Sequence, residues 1–243
     1  VRQSNLYILL YSAGLTVVCG GLLAIAALGL KDRQEANIAL ERKGNILSTV
    51  IGLKKDDDIS ALYESKVKGI VLDYNGNVVD GMKPEQVVIA VQYKKAPKDR
   101  LLPVYEFRNE SNPDQVDFAV LPVYGYGLWN NIWGYVALRS DFNTVQGVRF
   151  EHAGETPGLG ARINTDKELQ ERYKGKLLFE NGKLVSVNMQ KGEGVTDYSG
   201  DPHKVDGMSG ATLTGKGVNN MLKDYFACYE SYLRKKQVPT PNQ

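Results

Sequence analysis

What this 243-residue chain lacks narrows its chemistry before any motif is considered. It has two cysteines, Cys19 in an apolar run and Cys228 in an expected helix. They form neither a CxxC pair nor a metal-ligand spacing, which argues against a disulfide framework or an iron–sulfur centre within the chain. The two histidines, His152 and His203, lie far apart with no cysteine beside them, so a zinc site is not expected. Net charge is also scarce. Lys+Arg 30 against Asp+Glu 28 leaves +2, with no long basic run to neutralise phosphates, and nucleic acid is not an expected partner. What is present, 42% hydrophobic and 24% charged residues, suits an ordered protein with a sizeable core.

The longest absence is of charge near the N-terminus. No charged residue falls between Gln3 and Gly29, and Leu6 to Leu30 is almost wholly apolar. As a helix this run spans ~37 Å at about 1.5 Å per residue, more than the ~30 Å hydrocarbon core of a bilayer. A buried core helix, or a signal peptide with Ala24, Ala26 and Ala27 near its cleavage site, are the competing readings. The length favours a single transmembrane helix over residues 1–30. Arg2 flanks one side and Lys31, Arg33, Arg42 and Lys43 the other, so the distribution of positive charge does not set an orientation for an exported domain. Residues 31–55 read as a continuing or second, juxtamembrane helix, with Ala36, Leu40, Leu47, Val50 and Ile51 roughly on one face. A domain over 56–243 follows.

That domain opens with a helix after Asp56-Asp57-Asp58 and then changes period. Gly69–Asp73 and Val78-Val79 flank Asn75-Gly76, a hairpin signal. Val87–Tyr93, Leu101–Phe107 and Val116–Tyr124 read as strands, with Pro122 indicating an edge or a bend in the last. The two tryptophans, Trp129 and Trp133, read first as core aromatics of a strand pair, or else as a wall beside a planar cofactor. Val145–Phe150 leads into a glycine- and proline-rich tight loop, Gly154 to Gly160. Thr165–Tyr173 reads as a short helix capped by Thr165 with Glu168 completing the capping box. Asn181-Gly182 marks a second hairpin, Gly192–Asp206 a long polar loop, and Val218–Leu233 a strongly periodic amphipathic helix before a polar tail.

Just before that helix, Asp206 to Thr214 packs two glycines and three hydroxyl side chains into nine residues. Small residues let a bulky group approach the backbone, and a helix start offers unpaired N–H groups to an anion. A phosphate-cradling nucleotide loop is one reading. Gly210 to Lys216 nearly matches G-x-x-x-x-G-K-[ST] but ends in Gly217, which has no hydroxyl for magnesium. The lead-in His203-Lys204-Val205-Asp206 is polar, where that loop needs an apolar strand. A phosphate bonded covalently to a threonine fits better. Gly210 and Ala211 leave access, and Ser209, Thr214 and the helix start can hold the phosphate. A membrane-anchored binding module, with Ser209–Thr214 only a helix cap, is the third reading.

Asp206-Gly207-Met208-Ser209-Gly210-Ala211-Thr212 resembles the flavinylation motif D-G-x-[ST]-G-A-T of FMN-binding domains. These occur in the NqrC family, subunits of the bacterial sodium-pumping NADH:quinone oxidoreductases, and in the RnfG family of the related Rnf complex. Gly154-Glu155-Thr156-Pro157-Gly158-Leu159-Gly160, Gly125-x-Gly127-Leu128-Trp129, Gly134-Tyr135-x-Ala137-Leu138 and Asn45-Ile46-Leu47 follow the NqrC pattern in the same order. The resemblance covers essentially the whole chain. The Asn-Ile-Leu block and the length favour NqrC over RnfG, while Gly215 stands where a small polar residue is expected. It implies an α+β protein: one N-terminal transmembrane helix, then a mixed α/β FMN-binding domain with hairpins and a C-terminal helix. It implies one covalent FMN per chain, joined through its phosphate to Thr212 by a separate, magnesium-dependent flavin transferase with FAD as donor. Ser209, Gly210, Ala211, Thr214 and Lys216 would then surround the phosphate. Glu155, Thr156, Gly158, Leu159 and Gly160 would lie beside the flavin, with Leu128, Trp129 and Leu159 against its ring. Asp206 and Gly207 would serve recognition by the transferase, Asp206 as a candidate ligand to its metal. The implied role is an electron-carrier subunit without a catalytic site of its own. Its partners would be the other subunits of a bacterial inner-membrane translocase, with the flavin domain in the periplasm.

Overall fold

The computed structural model describes residues 4–109, 111–112 and 115–237, which divide into two compact units, Val1–Lys43 and Gly44–Gln243. Most of the first is one long helix, α1 (Asn5–Ser48), whose sequence contains no proline to break it. Its apolar side chains are bare, Leu23 at 72% and Leu28 at 74% exposure. An 18-residue window of mean hydropathy 2.2 has none of its residues buried within the protein. This is one helix long and apolar enough to cross a membrane.

The second unit is built on an antiparallel meander. β1 (Val67–Leu72), β2 (Leu102–Arg108), β3 (Val116–Tyr126), β4 (Asn131–Arg139) and β5 (Val145–His152) are neighbours in chain order. Around the sheet lie α2 (Ile59–Lys66), α3 (Ile89–Tyr93), α4 (Arg162–Thr165), α5 (Lys167–Glu171) and α6 (Thr212–Lys236). Four two-residue strands, β6 (Phe179–Glu180), β7 (Lys183–Leu184), β8 (Asn188–Met189) and β9 (Lys204–Val205), form an antiparallel pair and a parallel pair.

Alternation along the strands sends side chains to two separate cores. Leu102, Val104, Ala119, Leu121, Val123, Ile132, Val136 and Leu138 face α6, which contributes Val218, Met221, Leu222, Tyr225, Phe226 and Tyr229. The intervening Tyr105, Phe107, Val120, Tyr135 and Ala137 pack against Tyr63 and against Ile46 and Leu47, both fully buried at the end of α1. Asn45 joins them through a hydrogen bond from its amide to Glu151 of β5, 3.3 Å.

Several local expectations change. Val87–Tyr93 supplies a short helix rather than a strand: Gln92 turns inward to accept a hydrogen bond from the Leu101 N–H (3.1 Å), and Tyr93 stacks on Tyr225. Those tertiary contacts override the β-propensity of its valines. The Asn75-Gly76 turn forms, but its second arm is reduced to a single bridge, Leu72 to Val78. Pro122 lies in an interior strand: pairing of β3 with β2 stops at Val120 while pairing with β4 continues through Tyr126. The Tyr229 hydroxyl lies 2.8 Å from the Pro103 carbonyl oxygen and 3.2 Å from that of Pro122, serving both across this gap. Asp166, not Thr165, caps α5, accepting from the Leu169 N–H. Aspartate is as good an N-cap as threonine, and the chain kinks between α4 and α5 at that residue. α6 begins six residues before the expected Val218, at Thr212, because Gly215 and Gly217 hide its first turn from any periodicity count. Of the expected tail, residues 238–243 lie outside the described residues.

Candidate functional site

Three segments meet at the N-terminus of α6: the β3–β4 turn around Leu128, the loop after β5, and the motif itself. Glycines make the approach possible. A side chain at Gly125 would press on Met221 Cβ (2.7 Å), and one at Gly217 on the Tyr126 carbonyl oxygen, with the Gly127 Cα 3.0 Å away. Gly217, whose missing hydroxyl argued against the nucleotide loop, is therefore a packing residue on the helix face against the turn.

Glu155 ties the three segments together. Its carboxylate, 4% exposed, accepts hydrogen bonds from the Thr214 hydroxyl (2.6 Å) and from the Trp129 and Asn130 N–H groups (2.9 and 3.4 Å). Burial alone pushes this carboxyl up; the hydrogen bonds from Thr214 and the turn outweigh it and hold the group below the ordinary glutamate range. Its own N–H donates to His152 Nδ1 at 3.2 Å. Gly127 and Gly160 leave room for it, since a Cβ at either would strike its carboxylate. Leu159 approaches from the same loop: a Cβ at Gly210 would lie 2.9 Å from its Cδ2. The loop thus contacts the motif two residues before Thr212 and two residues after it.

Thr212 is the first residue of α6 and its side chain is exposed. Ala211 in the N-cap position supplies no side-chain hydrogen bond, and the first turn carries no acidic residue. The leading N–H groups and positive end of a 25-residue helix are therefore presented at the end where Thr212 stands. Lys216 is exposed one helical turn further on. Around this point Tyr126, Leu128, Trp129, Leu159 and Leu213 are left 42–65% exposed, an apolar shelf beside the start of α6. Trp129 is thus a surface residue rather than part of the core. Donor groups for a phosphate beside an apolar surface for a planar ring fit a flavin mononucleotide.

The other expected residues are placed as follows. The Thr156 carbonyl closes its loop by accepting from Leu159 and Ala161, and Gly158 is exposed with φ of 73°. The Thr214 hydroxyl is directed to Glu155 and away from solvent. Ser209 is exposed, with its N–H held by Glu193 at 3.1 Å. Asp206 has both oxygens engaged, accepting from the Gly194 and Gly207 N–H groups at 2.6 and 3.0 Å.

Beneath the motif is an ionic cluster that no motif announced. Glu193 bridges Arg162 (2.6 Å) and Arg172 (3.3 Å), Arg162 also binds Asp166, and Arg172 donates to the Gly207 carbonyl at 3.1 Å. The Arg162 hydrogen bond, then that from Ser209, brings the Glu193 carboxyl down to about 2. The same pairing raises the Arg162 guanidinium further. Glu193 was legible only as one charge in a polar loop; its partners lie 31 and 21 residues away.

An FMN-binding domain behind a helix of membrane-crossing length is the class these features define. A family profile described as the FMN-binding domain matches residues 127–227. The NqrC component of the Na(+)-translocating NADH-quinone reductase of Pseudomonas aeruginosa is 31% identical, the match covering 96% of this chain and 98% of that one. Its counterpart from Vibrio anguillarum is 30% identical over 85% of this chain and 84% of its own. The crystal structure of the corresponding protein from Parabacteroides distasonis superimposes with a TM-score of 0.72 at 29% identity, covering 88% of this chain and 98% of that one. The chain belongs to the NqrC family of Na(+)-translocating NADH-quinone reductase subunits.

Proposed function

We propose that this chain is an electron-carrier subunit of a Na(+)-translocating NADH-quinone reductase, carrying one FMN joined through its phosphate to the Thr212 hydroxyl. The observation that carries the reading is an exposed threonine at the first position of an uncapped helix, beside an apolar shelf. A separate flavin transferase, with FAD as donor and magnesium as its metal, makes the bond. The phosphodiester keeps a negative charge, favoured by the helix N-terminus and by Lys216. When bound, the flavin supplies the redox chemistry; the chain positions it, shields it on one side and gives it no acid, base or nucleophile of its own. Leu128, Trp129 and Leu159 offer the ring an apolar contact. Glu155 and Thr214 hold the helix start against the turn, and the Glu193–Arg172 pair holds the motif backbone. Residues 1–30 span the bacterial inner membrane, 31–55 connect, and 56–243 form the flavin domain on the periplasmic side. The other subunits of the complex are the partners between which electrons pass. A covalent, membrane-tethered cofactor cannot diffuse away between turnovers.

Intact mass and in-gel fluorescence after expression with a flavin transferase test the reading. The wild-type chain should gain the mass of FMN less one water and fluoresce in a denaturing gel. Thr212→Val, at an exposed position, should fold normally and show neither signal. An unmodified wild-type chain, or a flavinylated Thr212→Val, sinks the proposal.

A further inference from the structure

Resting on that reading of Thr212, the geometry points to Glu155 as a positioning residue whose buried negative charge holds the flavin's reduction potential down. Every hydrogen bond to its side chain is one it accepts, from backbone N–H groups of the β3–β4 turn and from the Thr214 hydroxyl. A carboxylate surrounded only by donors is the ionised form. No lysine or arginine pairs with it among the described residues, so its charge is moderated by dipoles alone. Its place is fixed relative to the attachment point from both sides, through Thr214 two residues after Thr212 and through Leu159 against Gly210 two residues before. A fixed anion held two residues from the attachment point, in a partly desolvated site, would disfavour the gain of negative charge that accompanies reduction of a flavin bound there. The electrons still come from and go to the partner subunits; Glu155 alters only how readily they are accepted.

Glu155→Gln separates the charge from the geometry. The amide oxygen can still accept from Trp129 and Asn130, and the amide N–H can donate to the Thr214 oxygen, so these contacts survive without the charge. In the flavinylated full-length chain, a spectroelectrochemical titration should show the midpoint potential of Glu155→Gln rising. The expected shift is about tenfold in a one-electron equilibrium, or ~59 mV. Thr214→Val, which removes one donor and leaves the charge, should keep the potential at or below the wild-type value. A fully flavinylated Glu155→Gln with an unchanged potential overturns the inference alone. An equal rise in Thr214→Val assigns the effect to loosened geometry and also overturns it. Intact mass is read on every sample, so a wild-type chain without the FMN increment is recognised as failure of the proposed function itself.

Discussion

Two glycines on the first turns of α6 allow opposing predictions for the same substitution. Replacing a helical glycine by alanine favours the helix by about 1 kcal/mol through backbone entropy. At Gly215 the new Cβ would meet Met189 Sδ at 2.9 Å, the soft end of a flexible side chain that can turn aside. At Gly217 it would meet the Tyr126 carbonyl oxygen and, at 3.0 Å, the Gly127 Cα, both backbone atoms in a turn already held by Glu155. Backbone cannot yield locally, and overpacking of this kind costs roughly 1–3 kcal/mol. The helix gain is common to both sites, so Gly215→Ala should gain up to ~1 kcal/mol while Gly217→Ala should be about 1–3 kcal/mol less stable than Gly215→Ala. Urea denaturation followed by tryptophan fluorescence reads the second unit selectively, because Trp129 and Trp133 both lie in it. Midpoints at constant slope give the two free energies. If Gly217→Ala is as stable as Gly215→Ala, the helix and the β3–β4 turn are not in backbone contact, and the account of how the site is closed is wrong.

Two further outcomes test the scaffold. Tyr229→Phe removes the hydroxyl that serves the Pro103 and Pro122 carbonyls where β2 and β3 part, and should cost about 1–3 kcal/mol of buried polar satisfaction in the same urea assay. Glu193 has its carboxyl lowered to about 2 from an ordinary 4.5, so its contribution is complete above pH 4.5 and is lost as pH falls toward 2. Since the pair is partly solvated, that contribution is about 1 kcal/mol, and Glu193→Gln should be less stable than wild type at pH 6 but converge with it near pH 2–3. Parallel stability curves over that range would show that the cluster is not held by the ionised carboxylate.

The membrane-length part of α1 needed nothing but its sequence: the run up to Leu30 is uncharged and free of proline, and no distant residue is required to make it a helix. The meander strands and the body of α6 were legible for a related reason, since burial on alternate residues or at helical spacing is written into consecutive positions. Asp206–Thr212 and Gly154–Gly160 could be picked out as motifs, but as separate loops. Only the tertiary structure brings Glu155 to Thr214 across 59 positions, places Arg162 and Arg172 around Glu193, and turns Trp129 outward. It also starts α6 at Thr212 rather than Val218, through glycines that weaken the helix locally and are retained because a turn packs against their bare backbone. Val87–Tyr93 went the other way for the same reason: its side chains favour a strand, and contacts with Leu101 and Tyr225 make it a helix. Local chemistry thus determined the pieces, and the motif's resemblance singled out the candidate attachment atom. Long-range packing decided which groups surround that atom, because charge pairs and close backbone approaches between distant segments leave no periodic trace in the chain.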